Sequence, residues 1–172
     1  SKGATYKINW GVPFHELRKM AQDYGKDYDL AVELWKEDIR ECKILATLIM
    51  PPERMSTDLV DVWMEQPLSQ EMAEMLAFNL YQYLSFAPAL AYCWMAAEDV
   101  SRQICAYHIL ARLFMCGQEP NERGADEYLD QVDAALHHDH LGVRRAASAS
   151  LQKFALLGEE YAKRVTPWLQ SI

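Results

Sequence analysis

Glycine and proline are scarce, seven of each in 172 residues, which excludes collagen-like and linker-dominated chains. Cysteine is scarcer: Cys42, Cys93, Cys105 and Cys116 are the whole set, and no two of them form a Cys-x-x-Cys pair. Neither a zinc knuckle nor a disulfide framework is therefore indicated, and each thiol, lying in an apolar stretch, reads as buried and reduced. No apolar run approaches the roughly 18 residues a membrane helix requires, and the N-terminus lacks the charged-then-apolar pattern of a signal peptide. A cytoplasmic protein with no membrane partner is expected. The sequence opens at Ser1 without an initiator methionine, as a processed or trimmed form would. Positive charge is also in deficit, with 17 Lys and Arg against 25 Asp and Glu and a net charge of -8. That balance argues against gripping nucleic acid by overall charge, so any such surface must be a local patch. No Gly-rich phosphate loop, Ser-His-Asp arrangement or His-Glu-x-x-His motif is present, and hydrolase and nucleotide chemistry of those kinds is unsupported.

What is present is an apolar chain, 51% hydrophobic, long enough to bury one core, and a single domain spanning residues 1–172 is expected. Its periodicity is helical. Cys105, Ile109, Leu113 and Cys116 recur at spacings of three and four, and no strand alternation competes. Pro13 opens a helix carrying Phe14, Leu17, Met20 and Tyr24 that Gly25 stops, and Pro51 and Pro52 end another carrying Ile44, Leu45 and Leu48. Ser56 and Thr57 cap a helix through Val60 and Trp63 to Pro67, Ser69 caps one through Met72, Leu76 and Leu80, and Pro88 opens one through Tyr92 and Met95. Asp99 to Gly117, Gly124 to His138, Gly142 to Leu157 and Glu159 to Leu169 complete about ten helices with no sheet. Trp10, Trp35, Trp63, Trp94 and Trp168 lie among apolar residues and read as core or groove-edge packing.

Short helices in pairs suggest a repeat. Asp139, Val143, Arg144, Ala146, Ala147 and Leu151 follow the acid, Val-Arg, small, Leu pattern of the second helix of a HEAT repeat. Asp99, Val100, Arg102 and Ala106 follow it again, as do Asp38, Arg40 and Ala46. Arg102 and Arg144 stand 42 residues apart, within the HEAT period of roughly 40–47, whereas Arg40 and Arg102 stand 62 apart and need extra helices between them. Each arginine has two readings, a ligand-facing cation or the partner of an acid on a neighbouring repeat.

Charge along the chain is uneven. From Glu53 to Asp99 there are eight acids and one base, whereas from His140 onward Arg144, Arg145, Lys153, Lys163 and Arg164 face only Glu159 and Glu160. The C-terminal helices are thus the expected phosphate-facing surface, with Arg40 and Lys43 as extensions of it. Glu71 and Glu74, three apart and so on one helix face, are candidates for stabilising a cation, against the alternative of a solvated helix edge. His137, His138, Asp139 and His140 offer zinc-ligand residue types, but adjacent positions do not face one point, and a solvated helix terminus is expected there instead of a metal.

These residues resemble the HEAT-like DNA alkylation repair proteins, whose best-known branch is the AlkD-type DNA glycosylases. The resemblance spans nearly the whole chain. Gly11-Val12-Pro13 with Leu17-Arg18 is similar to that family's early Gly-Val, Leu-Arg element, and Leu34-Trp35-Lys36, Ile39-Arg40-Glu41 and Leu45-Ala46 to its most specific block. Trp63, Asn79-Leu80-Tyr81, Trp94, Arg102 and Val143-Arg144-Arg145-Ala146 follow in the family's order. The family usually carries additional N-terminal helices, which this chain is expected to lack.

The resemblance implies an all-α, HEAT-like helical-repeat solenoid (an α-α superhelix), monomeric, whose basic groove holds duplex DNA and releases N-alkylated purines without a metal or cofactor. With the charge distribution above, phosphate contacts are expected at Arg40, Lys43, Arg102, Arg144, Arg145 and Lys153. In active relatives an Asp stabilises the positive sugar of the transition state and two Trp contact the cationic base. Laid on this sequence, the Asp position falls on Glu74, the first Trp on Gln70, beside Glu71, and the second on Ala149. The carboxylate is kept, one methylene further out, and both indoles are lost, so base release is expected to be weak or absent. The alternatives are a catalytically silent protein that binds DNA structures, and a protein-interaction scaffold favoured by the acidic balance.

Overall fold

A computed structural model describes residues 6–169 of the chain; Ser1 lies outside the described residues. Among these, ten α-helices and two short 3-10 turns are the regular structure, with one isolated parallel bridge between Ile8 and Ile39 and no strand. The chain gathers into two compact units, residues 1–85 and 86–172.

The first unit holds α1 (Phe14–Tyr24), α2 (Tyr28–Lys36), α3 (Arg40–Ile49), α4 (Thr57–Trp63) and α5 (Gln70–Asn79). Their ends follow the punctuation of the sequence. Pro13 precedes α1, and Gly25 closes it at φ +71°, a conformation that favours glycine. Ser56 accepts from the Leu59 N–H to cap α4, and Ser69 accepts from the Met72 N–H to cap α5. α4 ends at Trp63, short of the expected Pro67, and α5 gives way at Leu80 to a 3-10 turn over Tyr81–Tyr83. In the core, α3 packs on α1, α2 and α5, and Trp35 stacks on Trp63 with ring centroids 4.5 Å apart and planes within 7°.

The second unit holds α6 (Ala87–Trp94), α7 (Val100–Met115), α8 (Glu122–Leu136), α9 (Leu141–Ala155) and α10 (Glu159–Leu169). α7 is buried without interruption from Ile104 to Ala111 and packs on α6 and α9, while α9 also meets α8 and α10. α8 starts two residues before the expected Gly124, because the Asn121 side chain accepts from the Gly124 N–H at 2.7 Å. α9 is capped by His140, whose Nδ1 accepts from the Gly142 N–H at 3.0 Å. Phe114, Tyr128, Phe154 and Tyr161 form an aromatic cluster with centroid separations of 5.1–5.5 Å.

Within that cluster the Tyr128 hydroxyl donates to Ser150 Oγ at 2.6 Å, and Ser150 in turn donates to the Ala147 carbonyl. Both residues are fully buried. Ser150→Ala leaves the phenol without its acceptor, and urea denaturation is expected to show a loss of about 1–3 kcal/mol, reduced when Tyr128→Phe is added.

Two groups depart from the sequence reading. Cys105 is buried as expected and Cys42 half-buried, but Cys93 and Cys116 are exposed, Cys116 being the residue that caps the C-terminus of α7. Trp35, Trp63 and Trp94 are core residues, whereas Trp10 is 60% exposed. It stands in a turn before Gly11, at φ +70°, and so belongs to no helix face that packing could cover.

Candidate nucleic-acid interface

α9 presents two faces of opposite character. Val143, Ala146, Ala147, Ser150, Leu151 and Phe154 point inward and are buried. Leu141, Arg145, Gln152 and Leu156 are exposed, with Ala149 half-buried among them, and their spacings of four, four, three and four draw one stripe along the helix. Arg145 is the cation of that stripe. Lys153, half-buried at its flank, lines a shallow depression of about 210 Å³ with Phe114, Met115, Glu119, Leu156 and Leu157. Eight residues of helix separate the two cations by roughly 12 Å. Ala149, between them, contributes only a methyl group, so a ligand can approach the helix closely there. α8 is the opposite case: Glu122, Asp126, Glu127, Asp130 and Asp133 are exposed along it, with Arg123 bound to Glu127. Among the described residues of this unit the unpaired positive charge is therefore carried by α9.

The three arginines of the repeat pattern do three different things. Arg144 donates through Nη1 to the carbonyls of His138 and Asp139, at 2.7 and 2.9 Å, and ties down the turn before α9. Arg102 pairs with Asp99, the residue that caps its own helix, at 3.1 Å, and lies over the Trp94 ring. Arg40 reaches across to α5 and grips Glu71 with two bonds, Nε to Oε1 at 2.7 Å and Nη2 to Oε2 at 2.9 Å. Its Nη1 adds the Val12 carbonyl and Glu41 Oε2. The ion-pair reading describes Arg40, whose side chain is only 12% exposed.

Around Arg40 a network holds an N-terminal strap. Glu41, 2% exposed, accepts from the backbone N–H of Trp10 at 2.9 Å and of Val12 at 3.2 Å. Burial alone raises its carboxyl pKa, but the Trp10 N–H, the Arg40 guanidinium and the Val12 N–H together hold it below the usual carboxylate value. The Glu71 bond, the largest influence on Arg40, keeps that guanidinium firmly protonated. Lys43 is buried, donates to the Trp35 carbonyl at the end of α2 and stands 4.5 Å over the Trp35 ring. Burial lowers its pKa. Arg40 and Lys43 are thus both engaged inside their own unit.

Of the α5 candidates, Gln70 and Glu74 are half-buried and Glu71 is held by Arg40. The His137–His140 run is occupied locally: Nδ1 of His137 bonds the Asp133 carbonyl, and Nδ1 of His138 accepts from the His140 N–H. Among the described residues no three His, Cys, Asp or Glu side chains converge on a metal position.

Sequence reasoning passed over Glu41 and Tyr6, whose hydroxyl bonds Ser69 Oγ at 3.0 Å. The signal for Glu41 was available: an Arg-Glu-x-Lys run opening an otherwise apolar helix implies that charge is being buried in pairs.

Comparison with known proteins accords with this geometry. A solved structure from a new family of proteins related to the HEAT-like repeat DNA glycosylases, with affinity for branched DNA structures, superposes with a TM-score of 0.80. It is 19% identical, with 94% of this chain and 69% of that chain covered, and it gives this protein a HEAT-like all-α fold. No curated protein matches. The model of the family described as DNA alkylation repair enzyme matches residues 7–171, nearly the entire sequence. The chain therefore belongs to the DNA alkylation repair enzyme family.

Proposed function

We propose that this protein binds DNA, with a preference for branched over linear duplex forms, through the exposed stripe of α9, and that it does not release bases. The observation that carries this reading is the stripe itself. Arg145 and Lys153 supply phosphate contacts on either side of Ala149, the position where the resemblance to active relatives places an indole. Gln70 takes the other indole position on α5. Neither helix offers an indole at these positions, and without one each lacks an aromatic surface there for a cationic base. The branched-DNA affinity of the related solved structure supports the choice of DNA form.

The second reading, base excision assisted by the Glu74 carboxylate, is favoured by retention of an acid at that position. Anisotropy titration of a labelled four-way junction and a linear duplex of the same length tests the first reading. Tighter binding of the junction is expected. Failure to bind either DNA form at low salt would overturn it and leave a protein-interaction scaffold.

A further inference from the structure

Residues 6–12 form a strap fixed at nearly every step. The Tyr6 hydroxyl bonds Ser69, the cap of α5. Ile8 exchanges backbone bonds with Asp38 and Arg40, its N–H to the Asp38 carbonyl at 3.2 Å and its carbonyl from the Arg40 N–H at 3.1 Å. The N–H groups of Trp10 and Val12 end on the buried Glu41, and the Val12 carbonyl on Arg40. Gly11, at φ +70°, turns the chain and donates to Asn9 Oδ1. Yet the side chains of Lys7, Ile8, Asn9 and Trp10 are all exposed, Trp10 by 60%. One buried acid, Glu41, and an arginine thus hold a segment whose largest side chain is left in water.

We infer that this strap is a nucleotide-binding element, in which Trp10 stacks on an unpaired base of a DNA single strand or branch point while Lys7 meets the adjoining phosphate. The chemistry of the exposed set selects that ligand. An indole offers a π-surface that accepts any base, and an ammonium three residues away offers charge for the backbone. The Asn9 amide N–H groups, left over once its oxygen has capped Gly11, add donors for a base edge. α1, which begins just beyond the strap, exposes Arg18 and Lys19 in addition. A base inside a duplex cannot reach an indole face, so the element reads unpaired nucleotides. Because the backbone is already ordered, stacking incurs little further entropy cost.

This inference rests on the DNA-binding reading and deepens it. Its test compares the wild type with Trp10→Ala and Trp10→Phe on a labelled oligothymidine single strand, a four-way junction and a linear duplex. Trp10→Ala is expected to weaken the single strand about tenfold, and the junction in the same direction, while leaving the linear duplex unchanged. Trp10→Phe should retain most of the affinity, and the Trp fluorescence quenched by oligothymidine in the wild type should not be quenched in Trp10→Phe. Trp10 is exposed, so matched thermal melts are expected to confirm that both variants fold. If Trp10→Ala binds each of the three DNAs as tightly as the wild type does, the inference is overturned while the DNA reading stands. Absence of binding to any DNA by the wild type would overturn both.

Discussion

Neutralising Arg145 and Lys153 together, as Arg145→Gln with Lys153→Gln, is expected to weaken DNA binding roughly sixtyfold at about 0.1 M salt. The size follows from counterion release. Each phosphate contact makes affinity fall with nearly the first power of salt concentration, so at about 0.1 M one contact is worth close to eightfold and two multiply. The slope of log affinity against log salt should fall by about 2, one for each cation. Among the described residues neither side chain takes part in an ion pair, and Arg145 is exposed, so stability should change little. Anisotropy titrations across a salt series measure both quantities. Unchanged affinity and slope would remove α9 from the interface, whatever the protein's other surfaces do.

The largest effect on stability is expected at Arg40. Arg40→Met removes the cation that compensates the nearly inaccessible Glu41 and one side of the bidentate pair with Glu71. Stranding a buried charge in this way costs about 3–5 kcal/mol, so for a chain of this size the melting temperature should drop by roughly 10 °C. Calorimetry measures it. Protons provide a second view of the same group. The Glu41 pKa is lower in the folded protein than its ordinary 4.5, so its contribution is present above that value and is lost as pH falls through the lower folded pKa. Stability of the wild type should therefore decline below about pH 4.5, and Glu41→Gln should flatten part of that decline. A melting temperature indifferent to Arg40→Met would mean that the strap is not held by this network.

The helices were legible because their ends are written in local chemistry. Ser56, Ser69 and Asp99 cap through their own side chains, and Gly25 and Gly117 supply the left-handed turns that stop α1 and α7. His140 was not legible as a cap, since histidine rarely serves as one, and α8 was placed two residues late because Asn121 precedes the apolar pattern by four positions. The partners of the repeat arginines were beyond reach for a different reason. Arg40, Arg102 and Arg144 occupy equivalent positions in sequence, but which acid or carbonyl each one meets is decided by groups 31, 3 and 5–6 residues away. Trp10 shows the limit of reading apolar residues as core: a strap bound through its backbone can keep a large ring in solvent.

The most direct measurement is a single-turnover reaction with excess protein on DNA containing N-methylpurines, run at concentrations where anisotropy shows that DNA to be bound, with Glu74→Gln alongside. Binding without release of methylated bases by either protein is the expected result under the proposed reading, in which the α9 stripe carries Arg145, Lys153 at its flank and, at Ala149, only a methyl group. Release by the wild type that Glu74→Gln abolishes would contradict it, and would establish a glycosylase that works through a carboxylate alone.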